Sequence, residues 1–323
     1  SLAGFGALSL PVALTACGDD NENTAGNALK VQFLHGVASG DPLHDRIILW
    51  TRVTPSDMAA CIEVVWEIAS DEAFKQLVNT GKVQTSAAQD FTVKVDADRL
   101  QAGTKYYYRF RFGNTVSAIG QTKTLPQRSD QVKFAVCSCS NYPAGYFHVY
   151  KEMAQENNLD VIIHLGDYIY EYGQGGYATD DAKQLGRTFA ADNDKEIIKL
   201  DDYRKRYALY RTDADLQTAH QRHPFIVIWD DHELSNDTWE AGADNHQEDE
   251  GSFIERKLAA LQAYFEWMPI RPVAENDHLN IYRQFDFGGL VNLMMLDTRI
   301  LARHKQLNYN DYMTATGIDA VKF

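Results

Sequence analysis

Three apolar runs in this chain each end in side chains that bind cations or move protons. Phe134-Ala135-Val136-Cys137-Ser138-Cys139 is followed by Ser140-Asn141. Val161-Ile162-Ile163-His164-Leu165 runs into Gly166-Asp167-Tyr168-Ile169-Tyr170-Glu171. Phe225-Ile226-Val227-Ile228-Trp229 runs into Asp230-Asp231-His232-Glu233. A carboxylate at Asp167 has two oxygens, each able to serve a different ion, so it can bridge two metals. The phenol of Tyr170, once deprotonated, is a hard anionic ligand suited to ferric iron. Cys139 adds a thiolate, which binds a metal only after losing its proton. Asp231 supplies oxygen for a second, harder ion such as calcium. His232 is placed to donate a proton or to stabilise charge developing on a substrate. Taken singly, a strand-end Asp is most often a cap or turn residue, and a strand Cys is most often apolar filler. That plainer reading is applied to Cys61 and Cys137, and His164 reads as a satisfied core histidine. Three such endings in succession point to a metal-dependent enzyme.

These side chains need elements that bring them together. From Val132 onward, strands alternate with helical patterns. Residues 145–158 carry Phe147, Tyr150, Met153 and Ala154 at helical spacing and read as a crossover helix. A right-handed crossover makes the strands on either side of it parallel. Parallel strands deliver their carboxyl ends to one edge of an open sheet, where sites form. Residues 172–223 form a long insertion, in which 201–211, dense in Arg, Lys and Tyr, reads as a solvated helix. A further helix is expected over 252–267, ending before Pro269. A hairpin is expected from residues 281–286 through Gly288-Gly289 to 290–296.

Before this lies a β-rich region. Residues 61–68, 91–95 and 106–112 are rich in β-branched and aromatic side chains, and Gly113-Asn114 supplies a turn. Leu100-Gln101-Ala102-Gly103-Thr104-Lys105-Tyr106 resembles the tyrosine corner of fibronectin type III and related sandwiches. The expected organisation is a leader and polar tether over 1–27, an N-terminal all-β sandwich of fibronectin III or Ig type over 28–127, and an α/β domain over 128–323.

The 323 residues carry a formal charge of −14. Broad nucleic-acid binding is not expected on that ground, since phosphate recognition needs concentrated Lys and Arg. Residues 2–16 are small, apolar and uncharged, and they end in Leu14-Thr15-Ala16-Cys17. Leu-x-small-Cys resembles a bacterial lipobox. It predicts export, a lipid on Cys17 and attachment to a membrane of the bacterial cell envelope or periplasm. With no initiator Met and no charged leader region, the true start reads as missing. Of the four cysteines, Cys137 and Cys139 are too close in sequence for a favourable mutual disulfide.

At its strand ends the chain resembles the PhoD-type alkaline phosphatases, within the wider calcineurin-like metallophosphatases. Gly36-Val37-Ala38-Ser39-Gly40-Asp41-Pro42 and residues 46–52 look like the start of that family's N-terminal sandwich. Ser138-Cys139-Ser140-Asn141, Gly166-Asp167-Tyr168-Ile169-Tyr170, Trp229-Asp230-Asp231-His232-Glu233 with Asn236, and Leu296-Asp297-Thr298-Arg299 resemble its later motifs. The Gly-Asp-x-x-Tyr spacing is also similar to that of purple acid phosphatases, where the Tyr binds ferric iron. The resemblance implies an α/β metallophosphatase domain hydrolysing phosphate esters, monoesters or diesters, with a metal-bound hydroxide. It implies ferric iron held by Cys139, Asp167 and Tyr170, and calcium held by Asp167, Asp231 and Asn236. His232, with Asp231, would neighbour the scissile phosphate. Such sites are completed by acidic and His ligands from a C-terminal region, so the catalytic domain reads as partial and this fragment is expected to be inactive alone. The alternative left open is a lipid-anchored surface binding protein without catalysis.

Overall fold

The computed structural model describes residues 29–274, 277–319 and 321. Cys17 and the leader residues lie outside the described residues. Seven strands make up most of the first half: β1 (Val37–Gly40), β2 (Ile47–Arg52), β3 (Ile62–Ala69), β4 (Leu77–Thr85), β5 (Thr92–Ala97), β6 (Lys105–Phe112) and β7 (Gly120–Lys123). Strands β7-β6-β3-β4 form one antiparallel sheet, extended by the short pair partner Thr115–Val116 on β6. Strands β1, β2 and β5 lie against it. Val37, Ile47, Leu49 and Val93 from one layer meet Ile62, Val64, Tyr108 and Phe110 from the other in a shared apolar core. In the loop before β6, the Gln101 N–H donates to the Tyr106 hydroxyl at 2.8 Å, which ties the ring back to the chain that precedes it.

The second half adds β8 (Phe134–Cys137), β9 (Val161–His164) and β10 (Phe225–Val227). These three are parallel, with Cys137 beside His164 and Ile163 beside Ile226. They do not form a sheet of their own. β10 pairs with β1 at Phe225 and Gly40, so one six-stranded sheet, β8-β9-β10-β1-β2-β5, runs through both halves. The join requires glycine: a Cβ on Gly40 would lie 2.1 Å from the Pro269 carbonyl oxygen and 2.7 Å from that of Phe225. Because side chains alternate along a strand, β2 serves two cores. Leu49 enters the apolar core shared by the first-half layers, whereas Trp50 enters the core of the second half, where its indole N–H donates to the Glu266 carbonyl at 2.8 Å.

Helices α1 (His148–Gln155), α2 (Leu200–Tyr210), α3 (Ala214–Arg222) and α4 (Phe253–Trp267) cover this sheet. α1 is shorter than the expected 145–158: Gly145 ends a separate 3₁₀ turn over 142–144, and Glu156 is already extended at the other end. α4 starts where its cap allows, with Ser252 Oγ accepting the Glu255 N–H. The hairpin is β11 (Arg283–Phe287) with β12 (Val291–Met295), and Phe287 packs edge-on against Phe134 at 4.9 Å.

Two expectations are corrected. α2 is not a solvated helix: Tyr203, Arg206, Tyr207 and Tyr210 are all buried, as is Arg211 just beyond it. Arg206 is tolerated inside because carbonyls and a carboxamide meet its donors. Cys61 is not core filler either, since it lies exposed just before β3. His164 is a core histidine as expected. It is fully buried, with one ring nitrogen on the Tyr150 hydroxyl and the other accepting the Gly166 N–H. Among the described residues no helix is long and apolar enough to cross a membrane.

Candidate metal centre

The loops leaving β8, β9 and β10 interlock by backbone before any side chain meets. Cys139 N–H donates to the Gly166 carbonyl at 3.0 Å, and Ser140 N–H donates to the Asp167 carbonyl at 2.8 Å. Gly166 has φ of 106°, and a Cβ there would lie 2.3 Å from the Asp230 nitrogen. No L side chain fits that approach. Gly166→Ala is therefore expected to cost about 3 kcal/mol or more. Thermal unfolding should show it as a fall of roughly 5 °C or more; an unchanged midpoint would mean that the two loops separate without cost.

Cys139 and Asp167 both hold left-handed backbone, with φ of 63° and 55°. Each such residue costs on the order of 1 kcal/mol, and the interlocking hydrogen bonds keep them there. The consequence is convergence. Cys139 Sγ donates to Asp167 Oδ2 at 3.4 Å, and the Tyr170 hydroxyl donates to the same oxygen at 3.2 Å. On its other side, Asp167 meets Asp231 and His232, each offering a ligand atom within 4.8 Å of the others. Asp167 Oδ1 is buried without a hydrogen-bond partner. Asn236 belongs to the loop after β10, and its backbone N–H donates to Glu171 Oε1 at 2.7 Å.

His232 is built in on two sides. Its Nδ1 lies 2.8 Å from Glu171 Oε2, and its ring stacks on Tyr170 at 4.3 Å between centroids. Burial alone would lower its pKa, but the Glu171 carboxylate outweighs this and lifts it to about 9. Burial works against the Glu171 charge too, yet donors from His232, Asn245 and the Asn236 backbone hold its pKa below the usual value. Asp231 accepts the Asp237 N–H and lies 3.4 Å from the Arg299 guanidinium, which also clamps Asp230 and Asp237.

Several supporting residues were not singled out by the sequence reading. Glu171 orients His232, and Glu233, fully enclosed, accepts the N–H groups of Tyr168 at 2.6 Å and Asp230 at 2.9 Å. It thereby joins the β9 and β10 loops beneath the site. Arg206 of α2 donates to the Tyr172 carbonyl at 2.7 Å and also to that of Tyr170. Glu171 and Glu233 stand inside the motifs, but nothing local marks them as buried.

The residues present fit a bound cation. Burial, then the charges of Asp167 and Cys139, push the Tyr170 phenol upward, and burial together with Asp167 does the same to the Cys139 thiol. A thiol and a phenol packed on one carboxylate oxygen resist ionisation unless positive charge is supplied. The orphaned Asp167 oxygen has the same requirement.

Residues 134–320 match the family described as PhoD-like phosphatase, and residues 20–126 match PhoD-like phosphatase, N-terminal domain. The chain belongs to the PhoD-like phosphatase family. It is 41% identical over 288 residues to Alkaline phosphatase D of Bacillus subtilis (strain 168), covering 86% of this chain and 48% of that protein. The solved structure titled "Structure of PhoD" superposes with a TM-score of 0.74 at 41% identity, over 83% of this chain and 52% of that one. The chain thus spans about half the length of the curated relatives it matches. Its overall fold is accordingly metallophosphatase-like, with a strand-rich N-terminal region.

Proposed function

We propose that this PhoD-like chain forms the metal-holding half of a phosphoric ester hydrolase of the alkaline phosphatase D type. One observation carries the reading: the buried carboxylate of Asp167 is shared between Cys139 and Tyr170 on one side and Asp231 and His232 on the other. Cys139, Asp167 and Tyr170 would hold ferric iron, and Asp167, Asp231 and Asn236 would hold calcium. When bound, these ions would polarise the phosphoryl oxygens and make water nucleophilic near neutral pH.

The chain's own residues then have distinct tasks. Glu171 takes the Nδ1–H of His232, so Nε2 remains to face the ester as a proton or hydrogen-bond donor. Asp231 keeps its orientation through the Asp237 N–H, while Arg299 offsets the crowded charge of Asp230, Asp231 and Asp237. The acceptor is water, so no covalent intermediate on the chain is required. In the same reading, residues 28–127 are a fibronectin III or Ig-like sandwich buttressing the 128–323 domain. Residues 1–27 tether an exported protein to the bacterial cell envelope through a lipid on Cys17.

The iron assignment has a direct optical test. A ferric phenolate absorbs visible light by charge transfer, so the metal-loaded protein should be coloured. Tyr170→Phe should abolish or strongly displace that band. A spectrum unchanged by the substitution would remove Tyr170 from the iron site.

A further inference from the structure

Beside the metal centre opens a cavity of about 370 Å³, within the usual size range for small-ligand pockets. Cys139 and Tyr170 form the wall it shares with the centre. The far side is aromatic and apolar, built from Tyr146, Phe147, Val149 and Tyr177. Among the described residues, no Lys, Arg, Asp or Glu lines it.

The two exposed rings are held still. Tyr146 is 56% exposed, yet its hydroxyl donates to the Leu185 carbonyl at 3.1 Å and its ring stacks on His148 at 5.4 Å. Tyr177 is 61% exposed, yet its ring lies nearly parallel to Tyr170 at 6.1 Å and packs on Tyr172 at 5.8 Å. The next residue, Ala178, adopts left-handed backbone with φ of 56°, a cost that few non-glycine residues bear without a structural reason. Aromatic side chains left in water but fixed in orientation present ready-made stacking surfaces at little entropic cost.

We propose that this cavity is the leaving-group subsite, and that Tyr146 and Tyr177 select phosphate esters of flat, uncharged aromatic alcohols over esters of small polar ones. The inference rests on the phosphoesterase reading, which places the phosphorus at the centre bounded by Cys139 and Tyr170. The ester oxygen then leads its alcohol into the adjoining cavity. A planar group there stacks on the rings, while a polyol meets no charged partner, and two of the polar lining side chains, Ser140 and Asn141, are already engaged by Tyr150, Tyr177 and Tyr210.

The test compares kcat/KM for phenyl phosphate with that for glycerol phosphate in the metal-loaded full-length protein. Comparing that ratio between variants cancels the intrinsic reactivity of the two esters. Tyr146→Ala and Tyr177→Ala should each lower it about tenfold, the scale of one lost stacking contact. Tyr146→Phe, which keeps the ring, should retain it. A second arm needs no turnover: phenylphosphonate should bind more tightly than methylphosphonate by calorimetry, and Tyr177→Ala should erase the difference. An unchanged ratio in both Ala variants, or equal binding of the two phosphonates to the parent protein, overturns the proposal. If the parent protein hydrolyses neither ester, the phosphoesterase reading fails and the phosphonate arm alone decides the subsite.

Discussion

Asp167→Asn is expected to leave a folded protein that has lost its metals and about a thousandfold or more of its turnover. Asn is the right replacement because Asp167 sits at φ of 55°, a conformation that Asn tolerates better than most residues. Shape and backbone are preserved, and only the charge is removed. That charge faces Cys139, Tyr170, Asp231 and His232 at once, so no neighbouring group can replace it. Metal ions contribute several kcal/mol of transition-state stabilisation, and each 1.4 kcal/mol is a factor of ten in rate. The metal-free variant should be no less stable than the metal-free parent. Glu233 beneath the site is pushed up to about 8 by burial and then by the Asp167 charge, so removing that charge relieves a repulsion. Metal analysis, thermal melts and aryl phosphate turnover check the three parts. A variant that keeps both metals and full turnover would sink the shared-carboxylate reading.

The donor residues were legible because they sit in a local pattern: an apolar run, then a turn, then ligand chemistry. Parallel pairing of β8, β9 and β10 follows from the crossover connections and brings those patterns to one edge. What holds the donors was not legible, because it depends on partners far away in sequence. Arg206 and the Tyr residues of α2 look solvated by composition. They are buried because Arg206 finds the carbonyls of Tyr170 and Tyr172, and because the Tyr203 hydroxyl donates to the Leu234 carbonyl at 2.6 Å. Glu171 keeps its charge in buried surroundings only because donors of other loops converge on it, and Glu233 is tolerated there because the Tyr168 and Asp230 N–H groups meet its oxygens. The continuity of the six-stranded sheet was hidden for a similar reason. It depends on Gly40 allowing β1 to lie against β10, and a single glycine in a short strand does not announce its neighbour.

Support of this kind decides what His232 does. His232→Ala is expected to reduce turnover by about 10²- to 10⁴-fold, the usual range for a general acid or base, with metal content unchanged. The competing role is direct ligation, since a ring nitrogen of His232 lies within 4.8 Å of ligand oxygens on Asp167 and Asp231. The surroundings favour the donor role. Glu171 holds Nδ1 at 2.8 Å, and Tyr170 stacks on the ring, so the imidazole is fixed with its remaining nitrogen directed away from that carboxylate. The side chain is 12% exposed, which leaves room for a substrate oxygen to approach. Removing a donor from the reacting group costs rate; removing a ligand costs metal first. Measuring metal stoichiometry and kcat on the same preparation separates the two. Loss of metal in step with activity would make His232 a ligand, and full activity with full metal would reduce it to packing against Tyr170.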